Sequence, residues 1–176
     1  MKWSYRIFFP WMMFRRLPLA WLAGLQLKSC TDQECTITIK HRWINQNPFR
    51  SIYFAAQLMA GEMGGGLPAL LHIRRMGYNS AMLVTHIEAS FYKKATGRIT
   101  FRFNEVAEMK AAVDEAQRST EQPATYLATT HAYNESGQKI AEVRALWSFR
   151  ARPNAKEQPI GPIAALPAPP CLPRPA

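Results

Sequence analysis

Cysteine is scarce in this sequence, and the three that occur, Cys30, Cys35 and Cys171, cannot all pair with one another. An odd and sparse set argues against a disulfide framework. Metal-ligand spacing is also missing, because the four histidines are scattered and the cysteines supply a single C-x4-C pair. The sequence therefore predicts no metal site, and the shortage of cysteine favours a reducing, cytoplasmic setting.

Long hydrophobic runs are absent as well. The apolar run at residues 7–14 is broken by Pro10, and Arg15-Arg16 separates it from a second run at residues 17–27. Each run is too short to cross a bilayer, and the arginines divide what would be the apolar part of a signal peptide. We expect a pair of short helices that cover the core. The alternative is a basic, aromatic-rich helix, with residues 1–25 making weak contact with a membrane surface.

Acidic residues are missing from the first 28 positions, and this explains half of the net charge of +10. Residues 1–28 carry five basic residues and no acid. Residues 29–150 carry 14 basic and 11 acidic residues, and residues 151–176 carry three and one. A nucleic-acid footprint needs basic residues clustered on one element of the body, so the nearly balanced central part predicts no nucleic-acid partner.

The 176 residues suggest one domain with a substantial core. We divide the chain into N-terminal cover helices at 1–28, the main domain at 29–150 and a tail at 151–176. The tail holds eight of the thirteen prolines and few large apolar groups, which predicts a disordered or extended segment. Removal of residues 155–176 is therefore expected to change thermal stability little.

Alternating patterns predict five strands in the main domain. Residues 34–43 alternate around a predicted buried thiol, Cys35. Residues 81–92 and 98–103 are predicted to form one antiparallel hairpin, and residues 124–134 and 139–150 another. A polar helix is expected at 105–118, with Asn104 as its N-cap. Strands grouped in hairpins around helices indicate an α+β fold.

The least charged segment of the chain is a predicted helix at residues 50–63, whose one carboxylate is Glu62. A second helical piece is expected at 67–75, after Gly64-Gly65-Gly66. Phe54, Leu58 and Glu62 lie four residues apart and share one stripe of the helix. A helix this poor in charge must be buried, and a lone buried Glu is costly unless it is paired, protonated or used in chemistry.

The order of elements, together with three stretches of sequence, resembles the hotdog fold, an antiparallel sheet wrapped around a central apolar helix. The stretches are Pro18-Leu-Ala-Trp-Leu-Ala-Gly, Asn47-Pro-Phe-Arg-Ser-Ile-Tyr-Phe-Ala-Ala-Gln with Ala60-Gly-Glu, and Ala89-Ser-Phe-Tyr-Lys-Lys-Ala-Thr-Gly-Arg. They look like the lead-in, central helix and hairpin of an uncharacterised bacterial branch of the thioesterase-like superfamily. The resemblance covers about residues 15–150. The PaaI-like thioesterases are similar to this chain in layout.

The resemblance implies a hydrolase acting on acyl-CoA or a related acyl thioester, with coenzyme A entering as substrate and with no cofactor. Glu62 approximately matches the catalytic acid of that group. The His-Gly-Gly segment that begins their helix is replaced here by Phe49-Arg50-Ser51-Ile52, whose Arg50 and Ile52 are expected to crowd an acyl group. The implied substrate-binding residues are Asn47, Ser51, Ile52, Tyr53, Gln57 and Leu58. A cluster of Lys93, Lys94 and Arg98 is expected to bind the phosphates of coenzyme A.

Other interpretations of these residues stay open. Glu62 is equally well explained as half of a buried pair, for example with an Arg or His across a dimer seam, and Asn47 as a turn residue. Lys93, Lys94 and Arg98 also suit a solvated turn. The alternative function is a non-catalytic hotdog protein that binds an acyl chain or a protein partner. Because a single wrapped sheet leaves an open edge, we expect a homodimer, or a dimer of two such dimers.

Overall fold

The computed structural model describes residues 4–119 and 122–152, with side chains from residue 10 onward. Its elements follow one another along the chain as α1 (Ser4–Arg16), α2 (Pro18–Leu22), β1 (Gln26–Cys30), β2 (Cys35–Lys40), α3 (Phe54–Met76), β3 (Ser80–Phe91), β4 (Arg98–Phe103), α4 (Val106–Arg118), β5 (Ala124–Tyr133) and β6 (Lys139–Ala151). A short 3-10 helix, Trp43–Asn45, precedes the loop that enters α3. The predicted tail lies outside the described residues from residue 153 onward.

The six strands form one antiparallel sheet in the order β1-β2-β4-β5-β6-β3. The helix α3 packs against β2, β4, β5 and β6, and α4 packs beside it. The strand β3 therefore extends the sheet beyond the part that α3 covers. This architecture is α+β, a hotdog fold, as the order of elements predicted.

The central helix is one continuous element of 23 residues, so the predicted end at residue 63 is wrong and the helical piece at 67–75 continues the helix past the glycines. The helix continues through the glycines, and each of them packs directly against side chains of the sheet. A methyl group placed on Gly61 would lie 2.5 Å from Cβ of Val143, and one on Gly66 would lie 2.5 Å from Cζ2 of Trp147. Small residues are needed there so that the helix backbone can approach β6 closely.

The core lies between α3 and the sheet. Its large members are fully buried and come from the alternating faces of β2, β4 and β6, including Ile37, Ile39, Ile99, Phe101, Phe103 and Phe149. The helix α4 contributes one buried face, which includes Val106, Met109 and Val113. Its N-cap is Glu105 without a side-chain hydrogen bond, so the prediction of Asn104 as N-cap is wrong.

One prediction about the strands also fails, and one strand was missed. The segments 81–92 and 98–103 are strands, but they do not form a hairpin with each other. The strand β3 pairs with β6 at the edge of the sheet, whereas β4 lies between β2 and β5. The strand β1 was not predicted at all, and it crosses the boundary that the sequence suggested after residue 28. Its register shifts between Leu27 and Ser29, which breaks the alternation that would have revealed it.

The helices α1 and α2 cover part of the core and leave their other side open. Met13 and Ala20 are buried against the domain, while large apolar side chains of the same two helices are exposed. Within the described residues, no helix combines the length and apolar content that a bilayer span requires.

Candidate active site

A cleft of about 540 Å³ opens between the start of α3 and the end of β3. The loop at 47–53 and the first turn of α3 form one wall, and residues 91–95 form the other. Much of the lining is aromatic and partly exposed, from Phe49, Tyr53, Phe54, Phe91 and Tyr92. An apolar cleft with few polar groups suits an acyl chain or another largely apolar ligand.

Asn47 holds the loop that forms the first wall. Its Oδ1 accepts hydrogen bonds from the backbone N–H of Phe49 at 3.0 Å, from the backbone N–H of Ser51 at 3.1 Å and from the Ser51 hydroxyl at 3.2 Å. The backbone N–H of Ile52 then donates to the carbonyl oxygen of Ala95 at 2.8 Å and ties the two walls together. Asn47 and Ser51 thus shape the cleft through the loop, and Asn47 occupies the turn position that the sequence also allowed.

Gln57 supplies a buried polar group to the cleft. Its side chain is 5% exposed, and its Nε2 donates to the carbonyl oxygen of Ile52 at 3.0 Å. Its Oε1 is buried and has no hydrogen-bond partner among the described residues. An unsatisfied buried acceptor costs free energy, so this oxygen is suited to accept a hydrogen bond from a bound ligand.

The first turn of α3 contributes backbone donors. The carbonyl oxygen of Tyr53 accepts from the N–H groups of Ala56 and Gln57. The N–H groups of Phe54 and Ala55 have no acceptor within residues 4–119 and 122–152. Such free amides at a helix N-terminus attract a negatively charged or polarised oxygen.

Glu62 lies two turns further along α3 and is half-buried. Burial raises the pKa of its carboxyl to about 7. No side chain in the described part of the chain forms a hydrogen bond or an ion pair with it, so a buried ion pair within one chain does not explain this residue. Its Oε1 is turned towards Gly66, 3.3 Å from where a Cβ on that glycine would lie, and so away from the start of the helix.

The structure brings together most of the sequence-predicted residues and separates the others. Asn47, Ser51, Ile52, Tyr53, Gln57, Lys93 and Lys94 all line the cleft. Leu58, Glu62 and Arg98 do not. Leu58 is half-buried against the core, and Arg98 is exposed opposite Lys40 in the β2–β4 ladder. Arg50, expected to crowd the acyl group, is exposed with a left-handed φ of 58° and is not part of the lining, whereas Ile52 is.

Sequence reasoning found Lys93 and Lys94 in the second wall of the cleft but missed the other three residues of that wall. Phe91, Tyr92 and Ala95 reach the start of α3 only because β3 pairs with β6 at the edge of the sheet. It also missed Asn45, which is buried and bonds through Nδ2 to the carbonyl oxygens of Ala23 and Lys40, both at 2.9 Å. The available signal was an Asn shortly after a predicted strand, because such side chains often hydrogen-bond to nearby backbone groups.

Residues 6–148 match the family described as a domain of unknown function, DUF4442. The chain belongs to this family. The match includes α1 from residue 6, α2, the sheet up to Ser148 and every residue of the cleft. The DUF4442 description carries no activity, so the family alone assigns none. None of the curated proteins matches the chain.

Solved structures share the fold of this DUF4442 chain at low sequence identity. A protein of unknown function from Chlorobaculum tepidum has a TM-score of 0.70 and 14% identity, over 84% of this chain and 94% of that one. A Pseudomonas aeruginosa protein of unknown function, described as a probable thioesterase, has a TM-score of 0.68 and 19% identity, over 83% and 96%. A Haemophilus influenzae thioesterase has a TM-score of 0.55 and 12% identity, over 74% and 80%. These likenesses establish the hotdog fold.

Proposed function

We propose that this protein hydrolyses acyl thioesters, with acyl-coenzyme A as the substrate class. The observation that carries the proposal is Glu62, a half-buried carboxylate without a partner in its own chain. With a pKa raised to about 7, it can take a proton from water near neutral pH and return it to a leaving thiolate. The proposal is also supported by the thioesterase descriptions of two structures with the same fold.

The start of α3 is the proposed site for the thioester carbonyl. The free N–H groups of Phe54 and Ala55 would donate to the carbonyl oxygen as negative charge develops on it. The aromatic cleft beside them would hold the acyl chain or the pantetheine arm. Lys93 and Lys94, both exposed at the rim, are proposed to bind the phosphates of coenzyme A, and no cofactor is needed.

One chain does not place these groups around the same carbonyl. Glu62 is eight residues after Phe54, which is about 12 Å along the helix axis. Its carboxylate also points towards Gly66, away from the helix start. A general base must be within hydrogen-bond reach of the attacking water, directly or through one more water. We therefore propose a homodimer in which Glu62 of one protomer serves the cleft of the other.

The test is a hydrolysis assay over acyl-CoA substrates of increasing chain length. Glu62→Gln keeps the shape of the side chain and removes the base, so we expect kcat to fall by roughly a hundredfold or more. Glu115→Gln, on the exposed side of α4, is the matched control and should leave kcat unchanged. Undiminished hydrolysis by a folded Glu62→Gln variant would exclude the catalytic role.

A second candidate is a protein that binds an acyl thioester without turnover. It is favoured by the helix start, where the side chains of Ile52 and Tyr53 line the cleft instead of glycines. In this case the wild-type protein would bind a non-hydrolysable thioether analogue of acyl-CoA and hydrolyse none of the substrates. Calorimetric titration with the analogue, beside the hydrolysis assay, separates the two functions.

A further inference from the structure

The turn between β1 and β2 places two cysteines directly opposite each other. Cys30 ends β1, Cys35 begins β2, and the two are register partners in the antiparallel ladder. Both are free thiols. The backbone N–H of Thr31 donates to the carbonyl oxygen of Glu34 at 2.8 Å, so the next pair outward, formed by the two cysteines, is a non-hydrogen-bonded pair.

This type of pair has the geometry that a disulfide needs. In non-hydrogen-bonded pairs of antiparallel strands the Cα atoms lie about 4.5 Å apart and the side chains are close. A disulfide accepts Cα separations from about 4.4 to 6.8 Å. As direct partners in the ladder the two side chains lie on the same face of the sheet, so bond formation requires little movement of the backbone.

The two thiols differ in access to solvent and in chemical environment. Cys35 is fully buried, whereas Cys30 is half-buried and lines a separate cleft of about 360 Å³. Basic side chains of α3 and α4 line the same cleft, from His72, Arg75 and Lys110. The pKa of Cys30 is lowered, first by the hydrogen bond with Cys35 and also by the charge of Lys110, while Asp32 and burial oppose this. The pKa of Cys35 is raised by that hydrogen bond and by burial.

We propose that Cys30 and Cys35 are a redox-active pair, in which Cys30 is the site attacked by hydroperoxides and Cys35 resolves the product as a disulfide. The thiolate sulfur of Cys30 attacks one peroxide oxygen, the O–O bond breaks, and the departing oxygen takes a proton. Cys30 is then a sulfenic acid. The Cys35 sulfur displaces the hydroxyl group from Cys30, and this group leaves as water with the Cys35 proton. Two thiols lose two electrons in total, and the peroxide is reduced.

The asymmetry of the pair supports these roles. The attacking thiol must be reachable and its thiolate favoured, and Cys30 fits because it lines the cleft and its pKa is lowered. The resolving thiol must be close to the attacking sulfur and protected from the oxidant, and this describes Cys35 in the core. The cleft is large enough for a small hydroperoxide, and it lies on the far end of α3 from the proposed thioester site. The pair is therefore a modification site separate from the proposed hydrolysis.

The experiment treats the full-length Cys171→Ser protein with hydrogen peroxide and follows it by intact mass and peptide mapping. We expect loss of two hydrogen atoms, a Cys30–Cys35 cross-link in the peptides, and reversal by dithiothreitol. Cys35→Ser should instead accumulate the sulfenic and then the sulfinic acid at Cys30. Cys30→Ser should leave Cys35 reduced over the same period, and thermal melts of both variants confirm that they are folded.

Lys110 provides a second, independent measurement. Lys110→Met removes a positive charge near Cys30 and also frees the negative charge of Asp32, its ion-pair partner. Loss of the Cys30 thiol should slow by about threefold or more. Lys139→Met is the matched control, because it breaks an ion pair with Glu142 that involves neither cysteine. A peroxide-resistant Cys30, a sulfinic acid without any disulfide in the Cys171→Ser protein, or equal slowing by both lysine variants would overturn the proposal.

Discussion

Glu62 combines two properties that a residue kept only for stability would not need. It is half-buried, and it lacks a cationic or hydrogen-bonding partner in the described part of the chain. Desolvation of an unpaired carboxylate destabilises its charged form, which is why its pKa rises to about 7. The side chain therefore lowers the stability of the folded chain at neutral pH, a common property of groups retained for chemistry.

The pH dependence of stability tests this property of Glu62. Its pKa is 4.5 in the unfolded chain and about 7 in the folded chain. The free energy of unfolding is therefore highest below pH 4.5 and falls as the pH rises through 7. Glu62→Gln has no carboxyl to ionise, so its free energy of unfolding should not fall in this way. We expect the variant to match the wild type near pH 4 and to exceed it by up to ~3 kcal/mol near pH 8. Urea unfolding over this range measures the difference, and Glu115→Gln should show none. A difference that stays constant with pH would contradict the unpaired carboxylate.

At the residue scale, the sequence revealed groups that are close together in the chain and missed those that meet through the sheet. Asn47, Ser51 and Gln57 belong to one short segment, so their joint position in the cleft follows from the turn and the helix after it. Phe91 and Tyr92 join them only through the pairing of β3 with β6. Alternation identifies a strand, but it does not state which strand lies beside it.

At the scale of elements, composition and packing explain what was predicted correctly and what was not. The alternation of Ile99, Phe101 and Phe103 located β4 because one face is fully buried. The glycines after Glu62 suggested a helix end, but the side chains of β5 and β6 occupy the space above them. Propensity is a local property, and here tertiary packing overrides it.

The helices α1 and α2 present a surface that the domain itself does not cover. Between 42% and 67% of each of six large apolar side chains is exposed, namely Trp11, Phe14, Leu17, Leu19, Trp21 and Leu22. Arg15 and Arg16 are exposed among them, and the first acidic residue of the chain is Asp32. Apolar side chains with basic neighbours and no acid match the interface of an anionic bilayer.

We predict that this surface binds anionic membranes. The full-length protein should float with vesicles rich in phosphatidylglycerol and much less with pure phosphatidylcholine. Reversing both charges, Arg15→Glu with Arg16→Glu, should weaken binding by about 20-fold or more, since each basic residue contributes about 1 kcal/mol near an anionic surface. Arg98→Glu with Arg150→Glu, exposed on the sheet, is the control. Absence of vesicle binding, or a larger oligomer that these substitutions at residues 15 and 16 dissolve, would contradict the prediction.

At the scale of the whole molecule, the open edge of the sheet and the separated site groups have one common explanation. The strand β3 has 12 residues, lies at the sheet edge and is paired on one side only by β6. Its side chains Ile87 and Phe91 lie on the side of the sheet that faces the helix. Their partners in β6, Ala145 and Ala141, are on the same face as Trp147, which packs on α3. Both are about 40% exposed. A long, apolar edge strand favours pairing with a second copy.

Subunit mixing tests whether each active site needs two protomers. Phe54→Pro removes one proposed amide donor and suits the first helical position, since Tyr53 before it has an extended ψ of 138°. Phe54→Ala is its control, because it also removes the ring that lines the cleft but keeps the backbone N–H; at saturating substrate it should keep most of the kcat that Phe54→Pro loses. Homodimers of Phe54→Pro and of Glu62→Gln should both be nearly inactive.

In a mixture refolded at equal amounts, half of the dimers are hybrids. Each hybrid has one intact site, which combines the amides of the Glu62→Gln protomer with Glu62 of the Phe54→Pro protomer, so about a quarter of the wild-type activity should return. If light scattering shows dimers but no activity returns, the amides and Glu62 act within one chain, and the two-protomer site is wrong.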